Sequence, residues 1–128
     1  MNAAASGNNK EIAIAFLRLA SSGQVREAYE KYVHARFIHH NPYFKGDRES
    51  LLRGMEESAA RFPRKVLEVV RTLQEGDLVA VHGKVRLEPG LSEIALMHIF
   101  RFQGDRIIEE WEVGQEVPKE SPNTNGVF

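Results

Sequence analysis

The apolar residues of this 128-residue chain change their spacing once, near Lys65, and that change restricts the fold more than any other feature. Before it they recur at helical intervals. Ile12, Phe16, Leu19 and Ala20 form one stripe, interrupted by Ser21-Ser22-Gly23. Val25, Ala28, Tyr29, Tyr32 and Val33 form a second at i, i+3, i+4, i+7 and i+8. Arg36 to His40 reads as a brief strand closed by Asn41-Pro42, because proline cannot continue a ladder and holds the residue before it extended. Gly46-Asp47 opens a third helix with Asp47 as N-cap; its stripe is Leu51, Leu52, Met55, Ala59 and Phe62, and Pro63 ends it. From Lys65 onward the period is two. Val66 to Gln74, Leu78 to Leu87, Glu93 to Phe102 and Arg106 to Val113 alternate as strands do. Their separators, Glu75-Gly76-Asp77, Glu88-Pro89-Gly90 and Gln103-Gly104-Asp105, are short and glycine-bearing, as hairpin loops are. Helices followed by an antiparallel meander specify an α+β domain with helices on one face of the sheet.

The length fits one domain over residues 1–128, with 1–9 as a flexible N-terminus and 114–128 as a polar tail carrying Pro118 and Pro122. Apolar residues at 42% and charged residues at 27% are globular values and argue against disorder. With 17 Lys and Arg against 18 Asp and Glu, there is no basic field for nucleic acid and no polybasic footprint for a membrane. No cysteine is present, which removes disulfides, thiolate nucleophiles and Cys-type zinc sites. The stretch Met1 to Lys10 has neither the basic nor the apolar region of a signal peptide, and no apolar run approaches the ~20 residues of a membrane span. A cytoplasmic protein is expected.

Alternation sorts the last three strands into two sets. One holds Val79, Val81, Val85, Leu87, Ala95, Met97, Ile99, Ile107, Trp111 and Val113; the other holds Leu78, Ala80, His82, Leu96, His98, Phe100, Ile108, Glu110 and Glu112. The first is almost purely apolar, and the second mixes apolar residues with His and Glu. Three short helices cover one face only. They are expected on the mixed face, where titrating groups need a pocket. The apolar face then meets a second copy of the chain in a homodimer, since an exposed apolar patch of that size is unusual on a monomer. The alternative cover is the C-terminal tail folding back.

Glu110 and Glu112 alternate on the last strand and share a face. A carboxylate on a mostly apolar strand loses hydration, which raises its pKa toward the range of a general base. A neutral His nearby can donate to a developing enolate oxygen. His82 and His98, each mid-strand among apolar residues, are the histidines placed to do so. The structural alternatives are a hydrogen-bonded strand histidine and ion pairs from Glu110 and Glu112 to Arg86 or Arg101. His34 reads as surface, at most one of His39 and His40 points inward, and Arg61, Arg64 and Lys65 read as a solvated corner. No phosphate loop, nucleophile elbow or His-Glu-x-x-His is present. Metal ligation by three His and a Glu would draw on scattered strands without motif spacing, so no metal is expected.

The whole pattern resembles the nuclear transport factor 2-like (cystatin-like) cone, and within it the SnoaL-like polyketide cyclases, including their predicted aldol condensation-catalysing branch. The residues that carry the resemblance are His39-His40-Asn41-Pro42, Asp77 to His82, Phe100-Arg101-Phe102 leading to Arg106 to Val113, and the ending Ser121 to Phe128. It implies three N-terminal helices packed on a curved antiparallel sheet. It also implies an aldol-type cyclase or isomerase that uses a pocket carboxylate as general acid/base on a small carbonyl compound, with no cofactor. The family's aspartate on the last strand matches Glu112, and its pocket histidine matches His98. Glu110 stands where the close branch usually has His. On this resemblance Glu112 and His98 are the catalytic pair, and His40, Asn41, His82 and Glu110 bind substrate or tune the base. The alternative is a non-catalytic, dimeric small-molecule-binding domain built on the same cavity.

Overall fold

The computed structural model describes residues 2–128. Its elements are α1 (Asn2–Ser21), α2 (Val25–Tyr32), β1 (Val33–His39), α3 (Arg48–Arg61), β2 (Val66–Glu75), β3 (Leu78–Arg86), β4 (Glu93–Gln103) and β5 (Arg106–Glu116). Of the lead-in expected over residues 1–9, Asn2 onward lies within α1, and Met1 lies outside the described residues. β5 runs to Glu116, so the irregular tail is shorter than expected. None of the described helices is long and apolar enough to cross a membrane.

Two helices, not three, precede the first strand, and the sheet is mixed. Its order is β1-β5-β4-β3-β2, with β1 parallel to β5 and every other pair antiparallel. Because α3 lies between β1 and the meander, the chain can bring β1 in alongside its last strand in the parallel sense. The meander itself turns where glycine permits it. Gly76 and Gly104 each sit first in a two-residue loop at φ +58° and +62°, a conformation that costs a side-chain-bearing residue strain. Asp47 caps α3 as its sequence predicts, its carboxylate accepting from Ser50 N at 3.0 Å.

The core lies between the helices and one face of the sheet. Phe16, Tyr29, Phe37 and Phe100 meet edge-on, with ring centroids 5.5 to 6.0 Å apart, and Val79, Val81, Leu52 and Ile107 close around them. On β3 burial alternates strictly, Val79, Val81, Gly83 and Val85 inward. Their partners on β4 are Phe100, His98, Leu96 and Ile94. The two faces therefore differ from those expected. Val79, Val81 and Val85 share the helix-covered face with His98, while Leu78, Ala80 and His82 join Met97 and Ile99 on the other. Register between strands is set by the β3–β4 loop, which alternation within a strand does not reveal. The resulting outer face leaves Leu73 68% and Val113 70% exposed, with Met97 and Ile99 beside them at 36%. Part of that face is met by the tail, where Phe128 lies over His82 and Lys84.

Candidate active site

The site begins in the turn after β1. Asn41 Oδ1 accepts from Tyr43 N at 3.0 Å, a local turn that fixes the amide and leaves Nδ2 as its free donor. That Nδ2 donates to Glu112 Oε1 at 3.1 Å. The turn is held from below by buried His39. Its Nδ1 accepts from Asn41 N at 3.1 Å, which leaves the Nε2 proton for the carbonyl of Lys45 at 2.6 Å.

β4 and β5 supply the remaining groups. His98 and Glu112 are direct antiparallel partners, and His98 Nε2 stands 3.6 Å from Glu112 Oε2. Glu110, one alternation back, is 3% exposed and hydrogen-bonded to Glu112. Among the described residues no Lys or Arg forms an ion pair with Glu110 or Glu112. The arginines that could have done so are taken elsewhere, Arg86 by Glu93 at 3.1 Å and Arg101 by Glu109 at 2.5 Å. Burial, then the charge of Glu112, pushes the Glu110 carboxyl well above the usual carboxylate range. Burial likewise pushes His98 down, against an opposing pull from Glu112, so the imidazole is held neutral. Tyr29, beneath the carboxylates, is pushed up by burial and by their charge, which keeps its phenol protonated and donating to Met55 Sδ at 3.2 Å.

These groups open into one cavity of about 310 Å³, near the lower bound of ~300 Å³ for ligand pockets. Apolar walls come from α1 (Phe16, Leu17), α3 (Leu51, Met55) and the sheet (Leu67, Val85, Leu96). Phe44 closes the side near Asn41 by seating its ring against Gly54 of α3, where any Cβ would collide with it.

Of the six residues singled out from the sequence, four converge here: Glu112, His98, Asn41 and Glu110. Two do not. His82 is on the outer face of β3, bonded to Arg71 and tilted against Phe128, because Val81 rather than His82 is paired across from His98. His40 also points outward, stacked on Trp111 at 5.1 Å with its Nε2 2.7 Å from Glu109 Oε2. Alternation along β1 sends Phe37 and His39 inward and His40 out. Two contributors went unread in the sequence. His39 anchors the Asn41 turn, and Lys65, expected at a solvated corner, lines the cavity. The signal for Lys65 was available: it alternates in phase with Leu67 and Val69, both on the core side.

Chemically the cluster offers a carboxylate that Asn41 orients, an imidazole that burial favours neutral and a carboxyl that burial pushes up, in a mostly apolar pocket, which suits proton transfer. His98, Glu110 and Glu112 also bring one ligand atom each within 4.8 Å of one another, so the same three could hold a divalent ion.

Comparison with known proteins bears on this geometry. Residues 13–110 match the SnoaL-like domain family. Among solved structures, IdmH from Streptomyces antibioticus, assigned as a polyketide cyclase, superposes with a TM-score of 0.69 at 21% identity, over 82% of this chain and 90% of that one. A protein from Acidithiobacillus ferrooxidans, also assigned as a polyketide cyclase, gives 0.70 at 20% identity over 84% and 88%. A cystatin-fold protein from Novosphingobium aromaticivorans gives 0.70 at 19% over 82% and 97%. No curated protein matches the chain significantly.

Proposed function

The chain belongs to the SnoaL-like domain family, and from that footing we propose that it is a cofactor-independent cyclase or isomerase of aldol type acting on a small carbonyl compound. The observation that carries this reading is the setting of Glu112: Asn41 orients it at 3.1 Å, His98 lies 3.6 Å away with burial favouring its neutral form, and Glu110, its carboxyl pushed up by burial, adjoins it inside a mostly apolar cavity. Glu112 removes a proton from the carbon next to a carbonyl, and the electron pair moves to the carbonyl oxygen. His98 steadies that oxygen by hydrogen bonding. In ring closure the enolate carbon attacks a second carbonyl of the same molecule, and the new alkoxide takes its proton from Glu110. The proton now on Glu112 passes to Glu110 through the bond they share, restoring the starting state. In isomerisation the proton returns to a different carbon.

The test is deuterium exchange at the acidic C–H of a 1,3-diketone and keto-ester panel in D2O, followed by NMR. The wild type should accelerate exchange on at least one member, and Glu112→Gln should lose it with Tm nearly unchanged. Collapse of folding in Glu112→Gln would instead make the residue structural, and ligand binding with no exchange or product would favour the non-catalytic binding domain. A chelator that abolishes exchange would give the cluster a metal-dependent role in place of the direct one. As for assembly, the exposed Leu73, Met97, Ile99 and Val113 support a homodimer through the outer sheet face. Sedimentation of the wild type against Met97→Asp tests it, a monomer in both refuting the pairing.

A further inference from the structure

The cavity has two electrically unlike poles, and the second lies outside the proton-transfer cluster. α3 ends at Arg61, and a turn closed by Lys65 N donating to Phe62 O at 3.1 Å leads into β2. Three basic residues sit around this corner. Arg61 and Arg64 are exposed, whereas Lys65 is half-buried and lines the cavity, one alternation before Leu67. Its Nζ donates to Ser58 Oγ at 2.7 Å, and among the described residues no carboxylate pairs with it. Burial pulls the ammonium down from its ordinary value, and no opposite charge offsets the loss of hydration.

The opposite pole is acidic. Leu67, one alternation after Lys65, pairs with Val85 and Val85 with Ile94; on β4 Ile94 lies four positions, or ~13 Å along a strand, from His98 at the carboxylates. A ligand bearing one negative charge is repelled from Glu112 and attracted to the Lys65 end, so the charge distribution orients it as well as binding it.

We propose that Lys65, steadied by Ser58, is the anchor for a carboxylate on the ligand, so that the natural substrate is a carbonyl compound with a carboxylate at one end and its reacting carbon at the other. This rests on the proposed function only for which end reacts; the anchor itself is a statement about binding. Two probes separate the parts: 8-benzoyloctanoate, whose chain is long enough to reach from one pole to the other, and its neutral methyl ester, titrated calorimetrically into the intact protein. The acid should bind at least tenfold more tightly than the ester to the wild type. Lys65→Met should bring the two within twofold of each other, and Lys65→Arg, which keeps the charge without an amine nucleophile, should keep most of the preference. Lys65→Gln serves as the second neutral variant should Lys65→Met fail to fold. A preference that survives in the neutral variants overturns the anchor, as does equal binding, or no binding, of acid and ester by the wild type. Exchange of the ketone's acidic protons is read on the same samples. If exchange is absent while the acid preference holds, the proton chemistry fails and the anchor stands; if exchange occurs without a preference, the reverse is true.

Discussion

Glu109 and Glu110 are neighbours on one strand and titrate in opposite directions. Glu109 faces out, where His40 and Arg101 hydrogen-bond to it and hold its carboxyl below the usual range. Glu110 faces in, where burial and the charge of Glu112 push its carboxyl well up. A step of one residue along β5 thus separates a carboxyl held low from one held high. Helix cover on one side of the sheet and cations on the other make the difference. Sequence places both as glutamates on an alternating strand; only the assembled sheet gives them separate chemistry.

That contrast can be broken in four ways. The largest effect is expected from comparing Glu112→Gln with Glu109→Gln. Deuterium exchange should fall ~10²- to 10⁴-fold in the first, the span ascribed to a positioned general base, and change less than about threefold in the second. Asn41→Ala comes next. Losing the amide that orients Glu112 should lower kcat roughly tenfold with little change in KM, because orientation rather than affinity is removed. If KM alone moves, Asn41 contacts substrate instead.

The third is a stability measurement. In the fold Glu110 gives up its proton only well above the value of about 4.5 at which the unfolded chain ionises it. The native state therefore binds more protons, and this residue's contribution to stability falls as pH rises from there toward its folded value. Glu110→Gln has nothing to titrate, so its Tm should gain on the wild type by several degrees between pH 4.5 and 8. A constant gap would mean that Glu110 is charged in the fold. The smallest effect belongs to the outer face. The lowered carboxyl of Glu109 contributes stability above its unfolded value that is lost as pH falls, the opposite sign. Because Arg101 is more than a third exposed, Arg101→Met should cost at most ~1 kcal/mol in denaturant melts.

Much of this was legible in the chain. The period switch gave the helix and strand segments, Asp47 announced its cap, and Glu110, Glu112 and His98 could be placed on one face because residues two apart on a strand point the same way. What stayed hidden depends on relations between segments. Pairing of β3 with β4 put His82 outside, and pairing of β1 with β5 in parallel made the sheet mixed. His39 and His40 were equivalent until β1 found its neighbours and buried Phe37. Lys65 illustrates a different failure. A lysine at a helix-to-strand corner is normally solvated, and composition outweighed the phase that placed it with Leu67.

Phe44 and Asn41 belong to the same short turn, tied by Phe44 N donating to Asn41 O at 3.4 Å and by His39 beneath. One end of this turn bounds the chamber and the other aligns the carboxylate. Because Phe44 seats on Gly54 and shares its turn with Asn41, a guest that shifts the ring would also strain the amide's hold on Glu112. On the proposed function, size discrimination would be felt as a slower reaction rather than as weaker occupancy, and a poor guest could lodge inside without being turned over.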